Sequence, residues 1–118
     1  MKYLVSIFLN PTNMAALSET ERDEITDAVG RFLGYLESTG ELVGSYALGA
    51  PEDSAVVRVR DGVPAVTDGP FLESKEFLAG YYVIDVEGRD RALELAAMVP
   101  DATVNAMEVR PIVFSAGD

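Results

Sequence analysis

With 118 residues, 48% hydrophobic and 25% charged, the chain is long enough to bury a core without disulfides or metal and too apolar for intrinsic disorder. It has no cysteine and no histidine, which excludes thiolate chemistry, disulfides and Cys/His metal sites and removes the commonest general base near neutral pH. A formal net charge of −11 argues against nucleic acid and anionic membranes as partners, and no apolar run approaches the roughly 18 residues of a membrane span.

Residues 2–9 are β-branched and aromatic and end at a turn signal, so they read as a buried first strand rather than a signal peptide. After a loop at Asn10–Asn13, Ser18 and Glu21 form a capping-box pattern that opens a helix. Ile25, Val29, Phe32, Leu33 and Leu36 mark its apolar face, and Gly40 is its expected left-handed stop. Gly30 and Gly34 stand one helical turn apart and suggest a close approach to a neighbouring backbone. Residues 42–49 read as a second strand. A hairpin follows, Ala55–Arg60 and Val63–Thr67, joined by Asp61-Gly62 in a two-residue primed turn, with Pro64 confined to an edge position. The loop Asp68–Lys75 leads into a strong strand over Glu76–Val86. A second helix spans Arg89–Met98, with Ala92, Leu93, Ala96 and Ala97 as its apolar stripe, and a last strand spans Val104–Val113. No linker or repeat divides residues 1–118, so one domain is expected.

Strand, helix, strands, helix, strand is the order of an α+β, ferredoxin-like antiparallel sheet with two helices on one face, here carrying an inserted β-hairpin. The open face of such a sheet should alternate to polar residues. Instead Leu4 and Phe8 lie opposite Tyr3, Val5, Ile7 and Leu9, and the second long strand is apolar on both sides. A second subunit covering the open face, in a homodimer, is the expectation.

The most distinctive segment is Thr67–Lys75. Asp68 and Gly69-Pro70 build a stiff turn, which either aims Phe71 into the core or holds Asp68 as a pocket carboxylate for acid–base work or hydrogen bonding. Glu108 and Arg110 share one face of the last strand, as a cleft pair or as an exposed edge pair. Tyr46 and Tyr81 offer phenols to a ligand or pack as rim residues. Arg58 and Arg60, alternating with Val57 and Val59, form a solvated hairpin face or receive an acidic ligand. Asp68, Glu73 and Glu76 lack imidazole support, so no metal and no cofactor are expected.

Thr67-Asp68-Gly69-Pro70-Phe71, followed by Glu73, Lys75-Glu76 and Gly80-Tyr81-Tyr82, resembles the signature of the DGPF group of the YCII-related domain family. The start Met1-Lys2-Tyr3, the hairpin Val57–Gly62 and the end Glu108-Val109-Arg110-Pro111 extend the likeness over nearly the whole chain. The resemblance implies a ferredoxin-like α+β fold that pairs into dimers through its sheets. It also implies kinship with proteins of which some are encoded beside sigma-factor-type regulators. The wider family is thought to use a His–Asp pair, and one branch carries out dehalogenation-type chemistry on aromatic rings. This chain has no histidine, so only Asp68 carries over as a catalytic candidate.

The resulting expectation is a cytoplasmic, non-catalytic dimer that binds a small molecule or serves as an accessory or regulatory protein. The alternatives are a small-molecule enzyme of lyase or hydrolase type, using Asp68 in a cleft, and a module whose role is its quaternary structure alone.

Overall fold

The β-branched and aromatic run at the N-terminus forms β1 (Lys2–Leu9), a central strand in the computed structural model, which describes residues 1–117. Asn10-Pro11 does not begin a loop. It opens a short helix, α1 (Pro11–Ala15), in which the Asn10 side chain accepts from the Thr12 and Asn13 amides and Pro11 occupies the first turn, where it lacks only a spare donor. The buried Asn105 accepts from the Asn10 amide at 2.9 Å and fastens this corner to the far end of the chain.

The long helix α2 (Glu19–Thr39) has the expected caps. Ser18 and Glu21 exchange both capping-box hydrogen bonds, and Gly40 ends the helix at φ 75°. Phe32 and Leu36 are its buried residues. Gly30 and Gly34 face open space, so the backbone approach expected there is not made within this chain. β2 (Leu42–Ala47) follows, stopping two residues short of the expected end, and then a single 3-10 turn at Pro51–Asp53.

β3 (Ala55–Arg60) and β4 (Val63–Asp68) form the expected hairpin. Asp61 and Gly62 both take positive φ, 50° and 76°, as a primed turn requires. β5 (Phe77–Asp85), α3 (Arg89–Met98) and β6 (Ala106–Pro111) complete the chain, with a 3-10 turn at Pro100–Thr103 before β6. α3 buries Ala92, Leu95 and Ala96, while Leu93 is 39% exposed, so the expected stripe is displaced along the helix surface.

Among the described residues the main sheet is four-stranded and antiparallel in the order β2-β5-β1-β6, and β3-β4 is a separate two-stranded sheet. This is the ferredoxin-like arrangement with a hairpin inserted between its second and third strands. α2 and α3 cover one face. There Tyr3, Val5, Tyr82 and Ile84 pack with Phe32, Leu36, Ala92, Leu95 and Val99 into one core, and Phe32 meets Tyr82 edge to face at 5.5 Å.

β5 carries a bulge that repetition of the period-two pattern does not foretell. Ile7 pairs with Gly80 but Phe8 pairs with Leu78, so Ala79 is the extra residue and Leu78 turns onto the open face beside Phe8. Gly80 is required at this point, since a Cβ there would lie 2.5 Å from the Tyr46 carbonyl oxygen of β2.

Candidate functional site

The pairing register arranges the open face of the sheet in transverse rows. Gly44, Val83, Leu4 and Arg110 form one, Tyr46, Tyr81, Ser6 and Glu108 the next, and Leu78, Phe8 and Ala106 the third. A polar row therefore runs across all four strands between two rows that are mainly apolar. Three of the candidates, Tyr46, Tyr81 and Glu108, share the polar row, and Arg110 lies one row away. The Tyr46 and Tyr81 rings stack at 5.2 Å, tilted by 38°. Tyr46 lays its phenol over Gly44, where a Cβ would sit 2.7 Å from the hydroxyl oxygen. The Arg110 guanidinium donates to Glu108 at 2.9 Å, and both side chains are exposed, so this is an open-face pair and not a buried one.

At the end of the sheet where β5 begins, the third row becomes the floor of a cleft of about 880 Å³. Leu48 to Pro51 and Asp53 to Val56 form one wall, and Pro70 to Leu72 with Ser74, Glu76 and Phe77 form the other. The size suits a small molecule. Phe8, Leu48, Phe71, Phe77 and Leu78 make the lining largely apolar, and Asp53, Glu76 and Glu108 add carboxylates. No lysine or arginine is among the described residues of the lining. Carboxylates of this kind accept hydrogen bonds and favour cations, although Glu108 already has Arg110 as its ion-pair partner.

The motif loop is largely exposed. Phe71 is not in the core. It is 62% exposed, with the Arg58 guanidinium 5.2 Å over its ring, and it lines the cleft. Gly69 takes φ 99°, a conformation that favours glycine, and its amide donates to the Ser54 carbonyl at 2.7 Å, locking the loop to the other wall. Asp68 ends β4 opposite Ala55 and is exposed, outside the cleft lining but next to the lining residues Ala55 and Pro70. Among the described residues its carboxylate has no hydrogen-bond partner. Arg58 therefore stacks on Phe71 at the rim, while Arg60 lies near the tip of the hairpin. Asp53 and Leu48 were missed in the sequence because nothing local marks them; the fold alone brings residues 48–56 to the sheet.

The strongest charge cluster lies elsewhere. Arg91 makes a two-pronged contact with Glu41 at 2.8 and 2.9 Å and also donates to Tyr35 and Glu94. Hydrogen bonding from Arg91 is the main reason the Glu41 carboxyl titrates below its ordinary value, and the same bonds raise the Arg91 guanidinium further above its own. Glu41 is also next to the end of β5 opposite the cleft, its carbonyl accepting from the Asp85 amide. This cluster ties α3 to α2 and β2, and no group of Asp and Glu suited to holding a metal ion occurs among the described residues. No helix among them is long and apolar enough to cross a membrane.

Known proteins match this architecture. A dehydrochlorinase of 5-chloro-2-hydroxyhydroquinone from Burkholderia phenoliruptrix AC1100, solved in complex with 2,5-dihydroxybenzoquinone, superposes with a TM-score of 0.58 at 14% identity. The match covers 98% of this chain and 96% of that one, and at this identity it bears on the fold. An uncharacterised protein of Rhizobium meliloti is 30% identical over 116 residues, 97% of this chain and 94% of its own length. The model of the YCII-related domain matches residues 1–114, and the chain belongs to the YCII-related domain family.

Proposed function

We propose that this protein is a dimeric small-molecule-binding domain, whose ligand is compact and largely apolar and presents hydrogen-bond donors or a cationic group. The observation that carries this reading is the cleft of about 880 Å³, apolar in its floor and walls, with Asp53, Glu76 and Glu108 as its ionisable groups. The absence of histidine and cysteine supports binding over catalysis. The apolar side chains Leu4, Val83, Phe8 and Leu78 on the open face support a second copy as its cover.

Paired probes of equal size test the ligand class: benzylamine against benzoate, with hydroquinone as the neutral diol. Benzylamine and hydroquinone are expected to raise Tm, benzoate is not, and Asp53→Asn, Glu76→Gln and Glu108→Gln together should erase the preference for the amine. Equal effects of benzylamine and benzoate, or none from any probe, would refute the reading.

One observation favours a second reading. The dehydrochlorinase shares this fold along almost the whole chain, and its structure holds a quinone. In that case Asp68, beside the cleft wall, is the acid–base group. Chloride release from 5-chloro-2-hydroxyhydroquinone, lost in Asp68→Asn while binding persists, would establish the enzyme in place of the binding protein.

A further inference from the structure

The β3-β4 hairpin is an arm. Among the described residues it pairs with no other strand, and nearly every side chain along it is exposed. Its two faces differ. Val57 and Val66 stand opposite each other on one face, followed by Val59 and Pro64. The other face carries Arg58 with Ala65, Arg60 with Val63, and Val56 with Thr67. Val57, Val59 and Val66 are 62%, 66% and 67% exposed, so the arm holds an unbroken apolar strip in water. An isolated two-stranded hairpin is marginal in water, and a strip of this kind wants a cover.

The size of what is left uncovered points to the cover. The chain exposes 8000 Å², whereas a folded monomer of its mass exposes about 6,200 Å². Its radius of gyration is 16.4 Å, against about 13.5 Å for a compact chain of this length. The surplus of roughly 1,800 Å² per chain is what an extensive homodimer interface removes. Charge agrees. Residues 55–67 carry Arg58 and Arg60 against Asp61, while the whole chain stands at −11, so the arm is the part of the chain whose charge does not oppose an acidic copy.

We infer that the arm clasps a second copy of this chain, laying Val57, Val59, Pro64 and Val66 against it, and that each copy's clasp fixes a wall of its own cleft. Ser54, Ala55 and Val56, at the base of the arm, line that cleft. Within one chain this wall is held by the Gly69 hydrogen bond to Ser54, and the partner's hold on the arm adds to it, so ligand binding and dimerisation are linked. This inference rests on the dimer proposed above and goes beyond it, because a dimer joined through the sheet faces alone would leave the arm free.

Sedimentation equilibrium of the full chain and of Val57→Asp/Val66→Asp separates the two. The unmodified chain is expected to dimerise, and the variant to dissociate at least about 100-fold more readily, its near-ultraviolet circular dichroism unchanged. Dimerisation of the variant within threefold of the unmodified chain overturns the clasp and leaves the dimer standing. An unmodified chain that stays monomeric at every concentration overturns both. Hydrogen exchange on the unmodified chain carries the test independently of how the variant folds. Amides of residues 55–68 should be protected above the dissociation concentration and released below it, and equal exchange at both concentrations overturns the clasp.

Discussion

Arg91 shows how a single side chain ties elements together without serving the candidate site. Its guanidinium reaches Glu41, Tyr35 and Glu94, with side chains 26% and 15% exposed for Arg91 and Glu41. Because the Glu41 carboxyl is lowered in the folded state, its contribution is fully present above the unfolded value and is lost as pH falls through the folded one. Arg91→Met is therefore expected to lower Tm by a few degrees at pH 7, and the deficit should shrink as pH falls below the ordinary carboxylate range. Thermal unfolding of both chains at several pH values checks this, and a deficit independent of pH would show that packing, not the ion pair, was lost. Asp101 acts in the opposite sense. Burial raises its carboxyl, so ionising it costs stability and that cost is relieved as pH falls, and its charge adds to the burial that raises the Tyr82 phenol.

Among the elements, α2 was the most legible because its ends are chemical. Ser18 and Glu21 satisfy each other's amides, and Gly40 takes the left-handed cap. Ser18→Ala should cost about 1 kcal/mol in urea unfolding, with the slope on denaturant unchanged. A loss below about 0.3 kcal/mol would mean that packing of Phe32 and Leu36 holds this end without the cap. The short helix at Pro11 also had its signal, Asn before Pro, but a five-residue helix has no apolar period to announce it. In α3 the residues Leu93 and Leu95 are equally apolar, and only the angle at which the helix meets the sheet decides that Leu95 is buried. The bulge at Ala79 was invisible for a related reason. It is a shift of register against β1 that the apolar pattern of neither strand records, and it moves Leu78 to the face where the cleft floor lies. The cleft joins Phe8, residues 48–51 and 53–56, residues 70–72, 74 and 76–78, and Ala106 with Glu108, which are remote in the chain, so the motif alone marked only one wall.

At the scale of the molecule the dimensions are 49 × 38 × 19 Å. A thickness of 19 Å is that of one sheet and one layer of helices, which leaves the second sheet face bare. Net charge opposes association beyond the proposed dimer at neutral pH. With an isoelectric point near 4.2, that repulsion vanishes close to pH 4. Turbidity measured across pH 3–8 should peak near pH 4.2 and clear at pH 7. A peak far from that value would mean that unfolding, not neutralisation, exposes the adhesive surface.

The stacked pair Tyr46 and Tyr81 gives the chain an optical property. There is no tryptophan, and the five tyrosines dominate its near-ultraviolet absorption and emission. Tyr3 and Tyr82 are sealed in the core, whereas the Tyr46 and Tyr81 rings, 5.2 Å apart, sit on the open face. Whatever covers that face must change the surroundings of two of the five fluorophores and the coupling between them. The protein thus carries a native spectroscopic reporter on the surface where its partner or ligand is proposed to arrive, and no label has to be attached to watch it.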